Sequence, residues 1–104
     1  MVEVNGMNFN KEVLADRDIV VADFWAPWCN PCRMLMPILS QVSDEMSGKV
    51  KFVRINVDQN PQLAQMLNVT NLPTLMVFNK GKLRDRMIGF RPKNEVVKLV
   101  KKHL

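Results

Sequence analysis

The stretch "FWAPWCNPCRMLMP", residues 24–37, carries both cysteines of this 104-residue chain, Cys29 and Cys32, with Asn30 and Pro31 between them. Overlapping its start runs "IVVADFW", residues 19–25. A continuous β-rich apolar run of that length suggests a central strand buried on both faces. From within it onward, Leu35, Ile38, Leu39, Val42 and Met46 recur at helical spacing. They predict a helix from near Cys29 to about Met46, bent at Pro37 and ended by Gly48. The two thiols therefore sit where a buried strand turns into a helix.

Working outward, hydrophobic runs and chain breakers alternate with no linker, repeat or low-complexity segment. "VEV" at residues 2–4 reads as a short edge strand. "NFNKEVLA" reads as a short helix with Asn8 or Asn10 as its N-cap. "KVKFVRINVD" is a strand, and "NPQLAQMLN" is a short helix opening with Asn60 as cap and Pro61 at its first position. "TLMVFN" and "KLRDRMIG" form a hairpin about Asn79, Lys80 and Gly81. "PKNEVVKLVKKHL" closes the chain as a helix with Val96, Val97, Val100 and Leu104 inward. The order β-α-β-α-β-α-β-β-α predicts an α/β fold. Its mixed five-stranded sheet is flanked by four helices, with parallel pairing where helices intervene and antiparallel pairing in the last hairpin.

Three uses of the cysteine pair compete. A structural zinc site takes four ligands, and the only other soft ligand here is His103. One chain cannot complete such a site, which leaves only a site bridging two chains. A stapling disulfide stabilises in proportion to the loop that it closes, and a bridge over two residues closes almost nothing. Redox exchange fits best. N–H groups at a helix start are unpaired and carry partial positive charge, which stabilises a thiolate there. Only the thiolate attacks a disulfide. Pro31 suits the first turn, because it has no N–H to waste. Cys29, at the helix start, is expected to be the exposed nucleophile. Cys32, deeper in the helix, is expected to be the buried resolving thiol.

"VADFWAPWCNPCRMLMPIL", "RINVDQNP", "NLPTLMVF" and the glycine of "MIGF" together resemble the thioredoxin family, in its order and spacing and over essentially the whole chain. The resemblance implies a thioredoxin fold, one domain over residues 1–104, and reduction of protein disulfides through Cys29 and Cys32. It implies no cofactor and no metal. The carrier would be re-reduced by an NADPH- or ferredoxin-linked thioredoxin reductase and would serve disulfide-containing protein substrates as a monomer. The chain departs from the family at Asn30, where glycine is usual. By that resemblance, Asn30 and Pro31 are the residues that tune the thiolate.

The resemblance also assigns roles around the pair. Asp23, in the apolar strand, matches a buried aspartate that takes the proton of Cys32; burial alone should raise its pKa. Arg54 stands where the family usually has lysine, and unlike lysine it does not lose its proton. Pro73 matches a cis proline that faces the cysteines, leaving the Leu72 backbone free to pair with an extended substrate segment. Trp28, Val57, Leu72, Ile88 and Gly89 form an apolar docking rim, with Met34 a further candidate. Trp25 reads as core. An oxidase or isomerase of the same family usually carries histidine between the cysteines. A docking module that kept only the fold would not need Cys29, Cys32, Asp23 and Pro73 together.

Net charge is +5, concentrated between residues 80 and 104, where nine Lys/Arg face only Asp85 and Glu95. This reads as a solvated hairpin and helix, or as a face that attracts acidic partners. Apart from Phe90 no aromatic interleaves it, which argues against nucleic acid. No apolar run approaches the ~20 residues that span a bilayer. The start "MVEVNGMNFNKEV" lacks the basic-then-apolar pattern of a signal peptide. The expectation is a cytoplasmic protein.

Overall fold

Strand β2, Ile19–Trp25, is the spine of the sheet: six of its seven residues are buried, because strands pair with it on both sides and helices cover both of its faces. The computed structural model describes residues 1–16 and 18–104. Along the chain come β1 (Val2–Glu3), a π-helix (Asn10–Leu14), β2, α1 (Asn30–Glu45), β3 (Val50–Asn56), α2 (Pro61–Met66), β4 (Thr74–Asn79), β5 (Lys82–Ile88) and α3 (Lys93–Lys101). The strand order is β1-β3-β2-β4-β5. β1 and β2 both pair parallel with β3, while β4 runs antiparallel to β2 and to β5.

The β4 direction corrects the expectation that an intervening helix brings parallel pairing. Six residues of α2 rise about 9 Å, well short of the about 23 Å covered by a seven-residue strand. The chain therefore re-enters the sheet at the end where β3 finished. Thr74, the first residue of β4, pairs with Phe24 near the end of β2. That return keeps residues 57–73 beside the cysteine turn, where they become a wall of the site.

The period of two divides β2 between two cores. Val21 packs with Leu35, Leu39 and Val42 of α1 and with Val96, Leu99 and Val100 of α3. Val20, Ala22 and Phe24 pack with Val13 of the π-helix and Leu63 of α2. α3 turns Val96 and Val100 inward as expected, with Val97 half-buried against the core; Leu99 is inward in place of Leu104, which is exposed because the helix ends at Lys101 and its stripe goes no further. Pro37 lies within an unbroken α1.

The cap expectations were right in place for α2 and wrong in chemistry. Asn60 precedes Pro61 as predicted. Its amide instead donates to Asn56 O at 3.0 Å, and its Oδ1 accepts from Gly6 N at 3.0 Å. At the π-helix, Asn8 and Asn10 do not cap; Asn5 and Asn8 exchange backbone-to-side-chain bonds of 2.8 and 3.0 Å just ahead of it. The hairpin turn places Lys80 and Gly81 at φ of 53° and 78°. A Cβ on Gly81 would strike the Leu14 carbonyl, so that turn locks onto the π-helix.

Candidate active site

Trp25 ends β2, and four residues later Cys29 caps α1 in an extended conformation. Cys29 N donates to Ala26 O at 3.1 Å, and Arg33 clamps the turn from α1, its guanidinium donating to Pro27 O at 2.7 and 3.1 Å. Cys29 and Cys32 are joined as a disulfide across a Cα–Cα distance of 5.3 Å. The backbone N–H of Cys32 points at Cys29 Sγ, 3.2 Å away. One amide of the helix start is thus directed at one sulfur of the pair.

Exposure does not separate the two cysteines, contrary to the expectation of an open Cys29 and a buried Cys32. Cys29 is 4% exposed and Cys32 is 3%. In the disulfide form both pack against Ala26, with Trp25, Val57 and Leu72 against them. The sulfurs differ in what they face. Cys29 lies on a cleft of about 580 Å³ whose walls are Trp28, Asn30, Pro31, Val57 and the segment Val69, Thr70, Asn71 and Leu72. Cys32 lies on a separate, smaller cavity of about 360 Å³, shared with Trp25, Pro27, Arg33, Met36 and Arg54.

Trp28, 67% exposed, stands over the cleft because its indole N–H donates to the Asp58 carboxylate at 3.0 and 3.2 Å. Asp58 is itself placed by buried Asn56, whose Oδ1 accepts from Asp58 N at 2.9 Å. Neither residue stands out in the sequence; the pattern Asn-x-Asp at a strand end, an Asx-turn signal, was the available clue. Val69, Thr70 and Asn71, which carry no signal in the sequence, line the cleft together with Val57 and Leu72. Ile88 and Gly89 are not in the cleft wall. Ile88 is exposed, and Gly89, at φ 87°, donates its N–H to Pro73 O at 2.8 Å. The Leu72–Pro73 peptide is cis, and Thr74 Oγ1 braces this loop by donating to Asn71 O at 2.6 Å. Met34 is exposed on α1. The Asn30 side chain is exposed and makes no hydrogen bond among the described residues.

Asp23 is 2% exposed, and its nearest charged partner is Arg54, Nε to Oδ2 at 3.7 Å. That is an ion pair outside hydrogen-bond range. Burial pushes the Asp23 carboxyl up to about 7; Arg54 opposes the rise and Glu3 adds to it. The Arg54 guanidinium lies 4.0 Å over the Trp25 ring, so Trp25 is a cation's partner as well as a wall. Among the described residues no cluster of three or more His, Cys, Asp or Glu could hold a metal ion.

A cysteine disulfide spanning two residues at a helix start, aimed at by a helix amide and opening on an apolar cleft, defines a thiol–disulfide exchange site. The thioredoxin family model matches residues 1–102. Thioredoxin 1 of Nostoc sp. is 42% identical over 103 residues, covering 98% of this chain and 95% of the relative. Thioredoxin of Bacillus subtilis is 40% identical over 104 residues, covering 100% and 98%. Thioredoxin of Chlorobaculum thiosulfatiphilum is 38% identical over 102 residues, covering 98% and 94%. The chain belongs to the thioredoxin family. It is a thiol–disulfide oxidoreductase working through Cys29 and Cys32, a redox carrier recycled by a reductase and acting on disulfide-containing substrates. No described helix is long and apolar enough to cross a membrane.

Proposed function

We propose that the protein is a general reductant of protein disulfides, with Cys29 as nucleophile, Cys32 as resolving thiol and Asp23 as the proton acceptor for Cys32. The observation that carries the assignment is the Cys32 N–H aimed at Cys29 Sγ. In the reduced protein the same amide, with the positive end of α1, would favour the Cys29 thiolate. The thiolate attacks one sulfur of a substrate disulfide, forming a mixed disulfide and releasing the first substrate thiolate. Cys32 then passes its proton to Asp23 and attacks Cys29 Sγ, releasing the second thiolate. Protons from solvent complete the substrate thiols. Two electrons leave the Cys29/Cys32 dithiol, which ends as the observed disulfide.

Asp23 suits its part, because a carboxyl titrating near 7 accepts and gives up a proton at working pH. Asn30, Pro31 and Arg54 tune the pair. An extended substrate segment lies in the cleft against Trp28, Val57 and Leu72, beside Pro73 and with Ile88 and Gly89 at its edge. We further read residues 1–104 as one domain that acts as a cytoplasmic monomer, binds neither nucleic acid nor membrane, and is re-reduced by an NADPH- or ferredoxin-linked reductase. The test is reductase-coupled reduction of insulin. Wild type should turn over, and Cys29→Ser should not. Undiminished turnover by Cys29→Ser would overturn the assignment.

A further inference from the structure

The Arg54–Asp23 pair is incomplete in a specific way. The two residues are register partners on neighbouring strands, and an arginine beside a carboxylate usually closes a two-point fork with bonds of about 2.7–2.9 Å. Here the nearest approach is 3.7 Å. Asp23 Oδ1 and Arg54 Nε are both buried and lack hydrogen-bond partners among the described residues. What occupies the guanidinium is Trp25, two residues along β2 from Asp23 and so on the same face of the sheet. Its ring lies 4.0 Å beneath the guanidinium carbon, well inside cation–π range. The cavity behind Cys32 is bounded by this same stack.

We propose that Trp25 is a positioning residue for the exchange reaction: its ring holds the Arg54 guanidinium and keeps the fork off the Asp23 carboxylate. The proposal rests on the reading of Asp23 as proton acceptor. A closed fork would stabilise the anion and make Asp23 a poor base for the Cys32 proton. Held where it is, Arg54 attracts the carboxylate without capturing it. The other groups around Asp23 do not supply this control. Glu3, in the same row on β1, repels the anion; Leu75, opposite on β4, is apolar. On α1, Arg33 is turned to the Pro27 carbonyl.

The test follows Asp23 ionisation by carbon-13 NMR of labelled aspartate in the oxidised protein, where the cysteines do not titrate. Asp23→Asn identifies the signal. Trp25→Leu should free Arg54 and lower the Asp23 midpoint by about one pH unit, a tenfold change in its ionisation constant. Losing the ring could also admit water, so the same change is made in an Arg54→Gln background, where the midpoint should not move. A shift of the same size there would overturn the proposal, as would no shift in either background. If Trp25→Leu does not fold, fluorinated tryptophan keeps the ring's shape and weakens its negative face. The midpoint should then fall as fluorines are added, and a flat series would overturn the stack. Stopped-flow reduction completes the test, since the pH profile of the resolving step should move with the midpoint. Should Asp23→Asn leave that step unchanged, the proton-acceptor reading fails and Trp25 loses its part in the reaction, whatever the NMR shows.

Discussion

Replacing Asp23 with asparagine should stabilise the protein, and by an amount that depends on pH. Asparagine keeps the shape of the side chain and cannot ionise. In the folded protein the Asp23 carboxyl titrates at about 7, against 3.8 for the ordinary group. Because the folded value is the higher one, the folded state binds the extra proton between those limits. Wild-type stability is therefore undiminished below about pH 4, falls as pH rises towards 7, and levels off above it. At about 1.4 kcal/mol per unit, the full loss is about 4 kcal/mol. Arg54, at 3.7 Å, offsets part of the burial cost, and that attraction is already contained in the value of about 7. Urea unfolding of the oxidised forms at pH 4, 6, 7 and 8.5 measures the difference directly. The Asp23→Asn variant and wild type should nearly coincide at pH 4. At pH 8.5 the variant's midpoint should be higher, on the order of 2 M in urea for a slope of about 2 kcal/mol/M. Asp85, whose carboxyl His103 and Lys102 hold below the usual range, titrates in both proteins and cancels. A difference that is the same at every pH would refute the reasoning, because it would mean that Asp23 is not ionising inside the fold.

Cys32→Ser should accumulate mixed disulfides with substrate at Cys29, visible by intact mass; trapping by Cys29→Ser instead would reverse the assignment of nucleophile and resolving thiol. Asn30→Gly should move the reduction potential in the reducing direction by about 30 mV, equivalent to about 1.4 kcal/mol, if the amide serves the Cys29 thiolate. Potentials equal within about 5 mV would leave Asn30 as a turn residue. Asp58→Ala should free the Trp28 indole and raise KM for insulin several-fold with little change in kcat, and an unchanged KM would show that the Trp28–Asp58 bond does not serve docking. Gly81→Ala should cost at least about 1 kcal/mol by thermal unfolding, because it combines a positive φ with a clash at the Leu14 carbonyl; no loss would show that the π-helix can move aside.

The features that could be read from the sequence are those set by short-range patterns. The β-rich apolar run Ile19–Trp25 points to a doubly covered strand and the apolar spacing after Cys29 to a helix, which puts the thiols at a strand–helix turn. Pro61 at a helix start and Lys80-Gly81 in a hairpin are local in the same sense. The thioredoxin resemblance added the roles of Asp23 and Pro73, which spacing alone does not supply.

Tertiary structure decided what depends on residues distant in sequence. The direction of β4 follows from how little α2 rises, and that return supplies Val69, Thr70 and Asn71 to the cleft wall. Leu99 is buried against α1 and β2, and Leu104 is exposed because α3 stops at Lys101. Trp28 meets Asp58 thirty positions away. Arg54 meets Trp25 and Asp23 only because β2 and β3 pair in this register. A one-residue slip would turn Arg54 to the other face. Helical and strand periods describe which way a side chain points from its own element. Which partner waits there is settled only when the sheet is assembled.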